Sequence, residues 1–208
     1  TLAYAGHLGL AHDIDTIAGA MEDLERQQVP CRFLFVGGGA RLAELERRCE
    51  AKGIGSAEFH AFCDRDQLNR LLAEADIGLV TQRDECNGSL VPSKIYAQLA
   101  AGLPLLYIGP QSATPGLIIR EFECGWQIDC GNVAGLVSLL RELSEDRQYV
   151  SAKGDLARAV FVDQFDRPLG VSRVAQILGL EQAVAAGDAE QQQPSKPLAY
   201  ARGSVVSR

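Results

Sequence analysis

Three short stretches carry side chains suited to an anionic ligand. The first is Pro92-Ser93-Lys94-Ile95, at the predicted start of a helix. Free N–H groups and the helix dipole make such a start a place for an anion. Lys94 lies in the first turn, where a cation is unfavourable to the helix itself, and the pairing points to an anion held between the two. The competing reading is a solvated lysine beside an ordinary cap. The second stretch is Gly6-His7-Leu8-Gly9, where glycine lets the backbone turn tightly and approach a ligand. His7 there could donate to a phosphate or a sugar hydroxyl, or merely pack in a turn. The third is Gly37-Gly38-Gly39, which follows a predicted strand but lacks both the G-x-G-x-x-G spacing and the P-loop lysine. A tight connection packing helix against sheet explains it equally well. His12 and His60 read as structural.

These residues need elements to place them. Residues 2–5 read as a first strand, and Ile14, Ile17, Ala18, Met21 and Leu24 form one stripe of the helix after it, with Asp13 or Asp15 as its cap. Strands follow at residues 32–36, 57–62 and 76–81. Helices fall between them, with Leu42, Leu45 and Cys49 inward in one and Leu68, Leu71 and Leu72 inward in the next. Residues 82–90 form an irregular loop before the central stretch, residues 91–110. Pro92 suits a first helical position and Ser93 can satisfy the orphan amides beside it. Ile95, Leu99 and Ala100 face inward, Gly102 ends the helix through a positive φ, and Pro104 stops it resuming. Leu105-Leu106-Tyr107-Ile108 then suits a strand buried on both faces. A helix at 117–122, a strand at 125–128 and helices at 133–143, 149–164 and 171–178 complete the order. Such alternation predicts an α/β fold, a Rossmann-like parallel sheet with helices on both faces and a helical C-terminal end. Ligands of such sheets bind at the carboxyl ends of the strands, near the switch in strand order. The loops at 6–9, 37–39, 61–64 and 82–94 all lie there.

Composition narrows the function classes. With 208 residues and 47% hydrophobic content, the chain holds one domain comfortably. A net charge of −7 argues against a general nucleic-acid binder. Neither a membrane-spanning run nor a secretory leader is evident, and the six cysteines form no C-x-x-C pair. Reduced thiols and a cytoplasmic location, at most at the inner face of the membrane, are expected. The chain opens inside a strand, which suggests a fragment or the second half of something larger. Residues 1–180 are expected to form the domain, and the Ala/Gly/Gln/Ser/Pro-rich residues 181–208 a disordered tail.

Four motifs occur in order. Gly-His-Leu-Gly follows strand one, and Phe35-Val36-Gly37-Gly38-Gly39 closes strand two with Leu45-Glu46 downstream. Ala75-Asp76-Ile77-Gly78-Leu79-Val80 opens strand four, and Pro92-Ser93-Lys94-Ile95-Tyr96 leads into Ala100-Ala101-Gly102-Leu103-Pro104. Together they resemble the C-terminal, donor-binding domain of a group 1 (family 4) retaining glycosyltransferase of the GT-B fold. The Pro-Ser-Lys variant is similar to enzymes that assemble bacterial surface polysaccharides. The resemblance covers residues 2–145. It implies a nucleotide diphosphate sugar, UDP- or GDP-linked, as donor and partner, with no further cofactor and no metal. The nucleobase would lie against Ala61-Phe62-Cys63. The diphosphate would meet the amides of Ser93 and Lys94 and the loop at His7 to Gly9. Lys94 would neutralise the departing diphosphate, an electrostatic stabilisation of the transition state. Gly6, His7, Gly9, Gly37, Phe62, Ser89, Leu90, Ser93 and Lys94 are thus the donor-binding candidates, with Lys94 also the catalytic one.

The sequence departs from the family pattern in two ways. Two glutamates normally precede the Gly-x-Pro segment; their register falls on Ser89 and Ala97, and Glu85 lies out of register. The N-terminal domain that carries the acceptor has no counterpart here, so transfer would need it in cis or in trans, and any peripheral membrane association would come through it. Other readings stay open: a non-catalytic nucleotide-sugar-binding subunit, an inactive fragment, or a nucleotide-sugar epimerase, which would need cleft carboxylates. Asp13-Ile14-Asp15 and Asp64-Arg65-Asp66 match a D-x-D pattern used to hold a divalent ion on a diphosphate, yet both lie where helix caps are expected.

Overall fold

A computed structural model describes residues 1–180; the expected tail at 181–208 lies outside the described residues. Six strands alternate with helices: β1 (Leu2–His7), β2 (Phe33–Gly38), β3 (Ala57–His60), β4 (Ile77–Thr81), β5 (Leu105–Ile108) and β6 (Gly125–Ile128). All pair in parallel in the order β3-β2-β1-β4-β5-β6, so the order switches between β1 and β4. Helices α1 (Asp15–Arg26), α2 (Ala40–Lys52), α3 (Arg65–Ala73), α4 (Lys94–Ala100), α5 (Thr114–Phe122), α6 (Val133–Glu145), α7 (Arg147–Val160) and α8 (Arg167–Leu178) connect and cover the strands. The expected Rossmann-like class is the observed one.

Strand alternation sorts the core. Leu2, Tyr4, Phe33, Phe35, Leu79 and Leu106 face α1, α2 and α6, while Val80, Leu105 and Tyr107 share the opposite face with Ile95 and Leu99 of α4 and Ala157 of α7. Ala3, Leu34 and Val36 meet Leu72 of α3 on that second face.

Several boundaries differ from expectation. β1 runs on through Gly6 and His7, which pair with Gly37 and Gly38 of β2. The glycines permit this: a Cβ on Gly37, at φ +143°, would lie 2.0 Å from the Gly6 carbonyl oxygen. β3 stops at His60, short of Phe62. The helix expected at 149–164 begins at Arg147, and past Val160 it widens into one π turn, Phe161–Phe165. Asp13 rather than Asp15 organises the start of α1, accepting from the Asp15 amide at 3.1 Å and from the Thr16 hydroxyl. Gly102 takes the expected positive φ of 69°.

Candidate functional site

The switch in strand order creates a crevice. β1 and β4 share only the pairs Leu2↔Ile77 and Ala3↔Gly78, and beyond these the two strands part. Above the parting lies a cleft of about 550 Å³, walled by Ala5, Gly6 and His7 of β1, Phe62 and Cys63 after β3, Leu68 and Leu72 of α3, and residues 90–94 leading into α4. It stands at the carboxyl ends of the strands, where open parallel sheets bind ligands.

The site candidates divide. Gly6, His7, Phe62, Leu90, Ser93 and Lys94 line the cleft together. Gly9, Gly37 and Ser89 do not. Gly9 packs beside the His7 ring, Gly37 serves the close approach of β2 to β1, and the exposed Ser89 spends its amide on the Cys86 carbonyl at 3.2 Å. The Ser93 side chain forms no cap, against expectation. Its backbone is already helical, at φ −61° and ψ −17°, whereas a capping side chain acts from an extended residue.

Lys94 is the first residue of α4, yet its Nζ lies 4.6 Å from the centroid of the Tyr4 ring. Tyr4 belongs to the opposite face of the sheet, so the lysine reaches through the parted strands. Its Cε also lies 3.5 Å from where a Cβ on Gly6 would stand. Among the described residues the ammonium pairs with no carboxylate, and burial pulls its pKa down from 10.5 to about 8. The Tyr4 hydroxyl donates to the His7 carbonyl at 2.8 Å, and burial pushes its pKa well above the usual phenol value. Tyr4 is therefore a neutral, fixed platform under a cation.

His12, which read as structural from sequence, and Gln98, which was not singled out there, also line the cleft. His12 is 6% exposed, and its Nδ1 donates to the Thr81 carbonyl at 2.6 Å. Burial, then the nearby Lys94 charge, lower its pKa, so the ring is neutral with Nδ1 protonated. Gln98 is a polar residue in the apolar stripe of α4, and that break in the pattern was its only signal. Phe62 is 67% exposed at the rim, with its ring edge against Gly38, where an added Cβ would meet it at 3.0 Å.

The other candidates for chemistry are engaged elsewhere. Asp15 pairs with Arg48 at 2.6 Å and Arg41 at 3.2 Å, and Asp64 caps α3 by accepting from the Gln67 amide at 2.8 Å. His60 stands at the end of β3, 3.8 Å from Glu58. Burial raises the Cys31, Cys49 and Cys124 thiols to about 11 and Cys130 to about 12, which makes them poor nucleophiles. A second hollow of about 500 Å³ lies at the opposite ends of the strands, between Thr1, Arg32, Asp76 and Arg147. Its charges are already matched, Arg32 with Glu58 at 2.7 Å and Asp76 with Arg147 at 3.4 Å. No helix among the described residues is long and apolar enough to cross a membrane.

Known proteins resemble this chain. "Probable glycosyltransferase WbjE" of Pseudomonas aeruginosa is 24% identical over 83% of this chain and 42% of its own length. The amylovoran biosynthesis glycosyltransferase AmsK of Erwinia amylovora is 26% identical over 74% of this chain and 38% of its own. The chain thus spans less than half the length of these relatives. Among solved structures, Anabaena HepE in complex with UDP and glucose superposes with a TM-score of 0.61 at 16% identity, over 90% of this chain and 48% of that one. WaaG, a glycosyltransferase involved in lipopolysaccharide biosynthesis, superposes with a TM-score of 0.60 at 19% identity, over 79% of this chain and 44% of that one. At such identities the likeness is one of fold. The family model for glycosyl transferases group 1 matches residues 1–159, and the chain therefore belongs to the group 1 glycosyltransferases.

Proposed function

We propose that this chain is the donor half of a group 1 glycosyltransferase, binding a nucleotide diphosphate sugar for retaining transfer to a glycan or lipid-linked acceptor. The acceptor would be presented by an N-terminal domain, joined in cis or in trans. The supporting observation is Lys94: a partly buried ammonium, with no carboxylate partner among the described residues, on a neutral aromatic platform at the one end of the sheet where ligands collect. Such a cation is costly to the fold and is well placed to receive a diphosphate. Phe62 and Cys63 border the same cleft on the β3 side and would take the nucleobase, with the phosphates toward Lys94, Gly6 and His7. As the glycosidic bond breaks, charge accumulates on the leaving diphosphate; Lys94 offsets it, and no protein nucleophile is assigned. HepE, whose structure holds UDP and glucose, lends the donor class its support. The cytoplasmic, inner-face location goes with this reading.

One observation favours a second reading, a binding subunit without catalysis. Where the resemblance calls for carboxylates, Ala97 lines the cleft with a methyl group and Ser89 lies outside it.

Titration of the chain with UDP, GDP and their nucleosides tests the proposal. Lys94→Ala should weaken the diphosphates about tenfold or more, the scale of a charge-assisted contact, and the nucleosides less than about twofold. Equal losses would remove Lys94 from the phosphate site, and no binding by the unaltered chain would sink the donor reading.

A further inference from the structure

Gln98 stands one turn beyond Lys94 on α4 and is 1% exposed. Its Nε2 donates to the Ala3 carbonyl at 3.3 Å and to the Leu79 carbonyl at 3.0 Å. Those carbonyls belong to β1 and β4, just where their pairing ends. The amide therefore spans the gap that a ladder would otherwise close. Its Oε1 is buried and has no hydrogen-bond partner among the described residues, so the two N–H contacts alone set its orientation. Gly78 makes the room: a Cβ there would lie 2.7 Å from the Gln98 Cδ. An apolar side chain would fill this inward position without an orphaned acceptor. A buried polar group kept at such a cost fixes one geometry among several apolar packings.

The geometry matters for Lys94. α4 has only seven residues, and no side chain caps its start. Positions four apart share a helix face, so whatever fixes Gln98 also fixes the direction in which Lys94 leaves the helix. We infer that Gln98 is a positioning residue: it pins α4 to the parted ends of β1 and β4 and so holds the Lys94 ammonium over Tyr4, at the floor of the crevice. The inference rests on the donor-binding reading for its consequence, though not for its geometry.

The test has two readouts. The first is the titration of Lys94 itself, followed by NMR after isotope-labelled methylation of the lysines, its signal identified by loss in Lys94→Arg. In the unaltered chain it should titrate near the depressed value of about 8, and in Gln98→Met it should move back toward 10.5 as the ammonium leaves its pocket. The second is a double-mutant cycle on UDP affinity. Gln98→Met should weaken UDP about tenfold when Lys94 is present and less than about twofold in Lys94→Ala, the coupling expected of neighbours that act as a unit. Gly78→Ala, which drives a methyl into the Gln98 amide, should reproduce both effects with Gln98 intact. An unmoved Lys94 titration in the folded variants, or equal losses in both backgrounds, would overturn the inference. So would a failure of both variants to fold, which makes Gln98 a stability residue only. If the unaltered chain binds neither UDP nor GDP, the donor reading falls and the Lys94 titration alone decides the positioning role.

Discussion

Lys94→Met should make the protein more stable while it removes the cation from the cleft. The folded chain holds the ammonium at about 8 against its ordinary 10.5, because burial strips water from it. At about 1.4 kcal/mol per pH unit, that gap opposes folding at neutral pH by about 3 kcal/mol. Two effects reduce the figure. The side chain keeps some access to solvent, and its contact with the Tyr4 ring, 4.6 Å from the centroid, returns about 1 kcal/mol. Methionine offers a similar unbranched shape without charge, so the net gain should be about 1–2 kcal/mol, or roughly 3–6 °C in Tm for a domain of this size. The pH dependence carries the sign. Between pH 8 and 10.5 the unfolded chain still holds a proton that the folded chain has released. Unaltered stability should therefore rise with pH across that window and lie flat below it, as far as this group is concerned. The advantage of methionine should be full below pH 8 and fade through the same window. Urea unfolding at a series of pH values measures both. A variant no more stable at neutral pH, together with an unaltered chain whose stability does not rise between pH 8 and 10.5, would show the ammonium to be solvated and refute the reasoning.

Two other substitutions separate recognition from architecture. Phe62→Ala should leave Tm within about 1 °C, because the ring is 67% exposed, yet weaken nucleoside binding by about 1–3 kcal/mol if the base stacks on it; unchanged nucleoside affinity in a calorimetric titration would take Phe62 out of the site. Gly37→Ala should cost about 3 kcal/mol or more in urea unfolding, since it combines a φ of +143° with a Cβ placed 2.0 Å from the Gly6 oxygen; a loss below about 1 kcal/mol would mean that the strands can part there without harm.

The order of elements was legible because most strands are short apolar runs and most helices carry an apolar stripe. Leu105 to Ile108, buried without exception, is the plainest case. Gly102 was legible because only glycine takes its φ of 69° at no steric cost. The strand ends were not. Gly6 and Gly37 read as loop residues, since glycine is disfavoured in strands, but here their missing side chains are what lets β1 and β2 pair to the end. Ser93 read as a cap from its type, while capping depends on a backbone angle that type does not fix. His12 read as merely structural, and Gln98 escaped notice, for a related reason. Each acts across the gap between β1 and β4, and a gap between two strands far apart in sequence leaves no local mark.

The two ends of the sheet obey different rules. At the amino ends the half-buried charges are matched, Arg32 by Glu58 and Asp76 by the exposed Arg147. At the carboxyl ends the described residues include an ammonium and a Gln98 amide oxygen with no partner among them, a neutral histidine and glycines at positive φ. The first two of these lower stability, and a domain whose total margin is about 5–15 kcal/mol holds few such groups by chance. They also share one boundary, since Lys94, Gln98, His12 and Gly6 all border the cleft. Sites that bind charge must be assembled before the ligand arrives, and the fold must carry the cost of that assembly in the ligand's absence. The costs at Lys94 and Gln98 fall at the parting of β1 and β4 because that is where the sheet itself stops supplying partners. An anion entering there would meet a cation that the described residues have left unanswered.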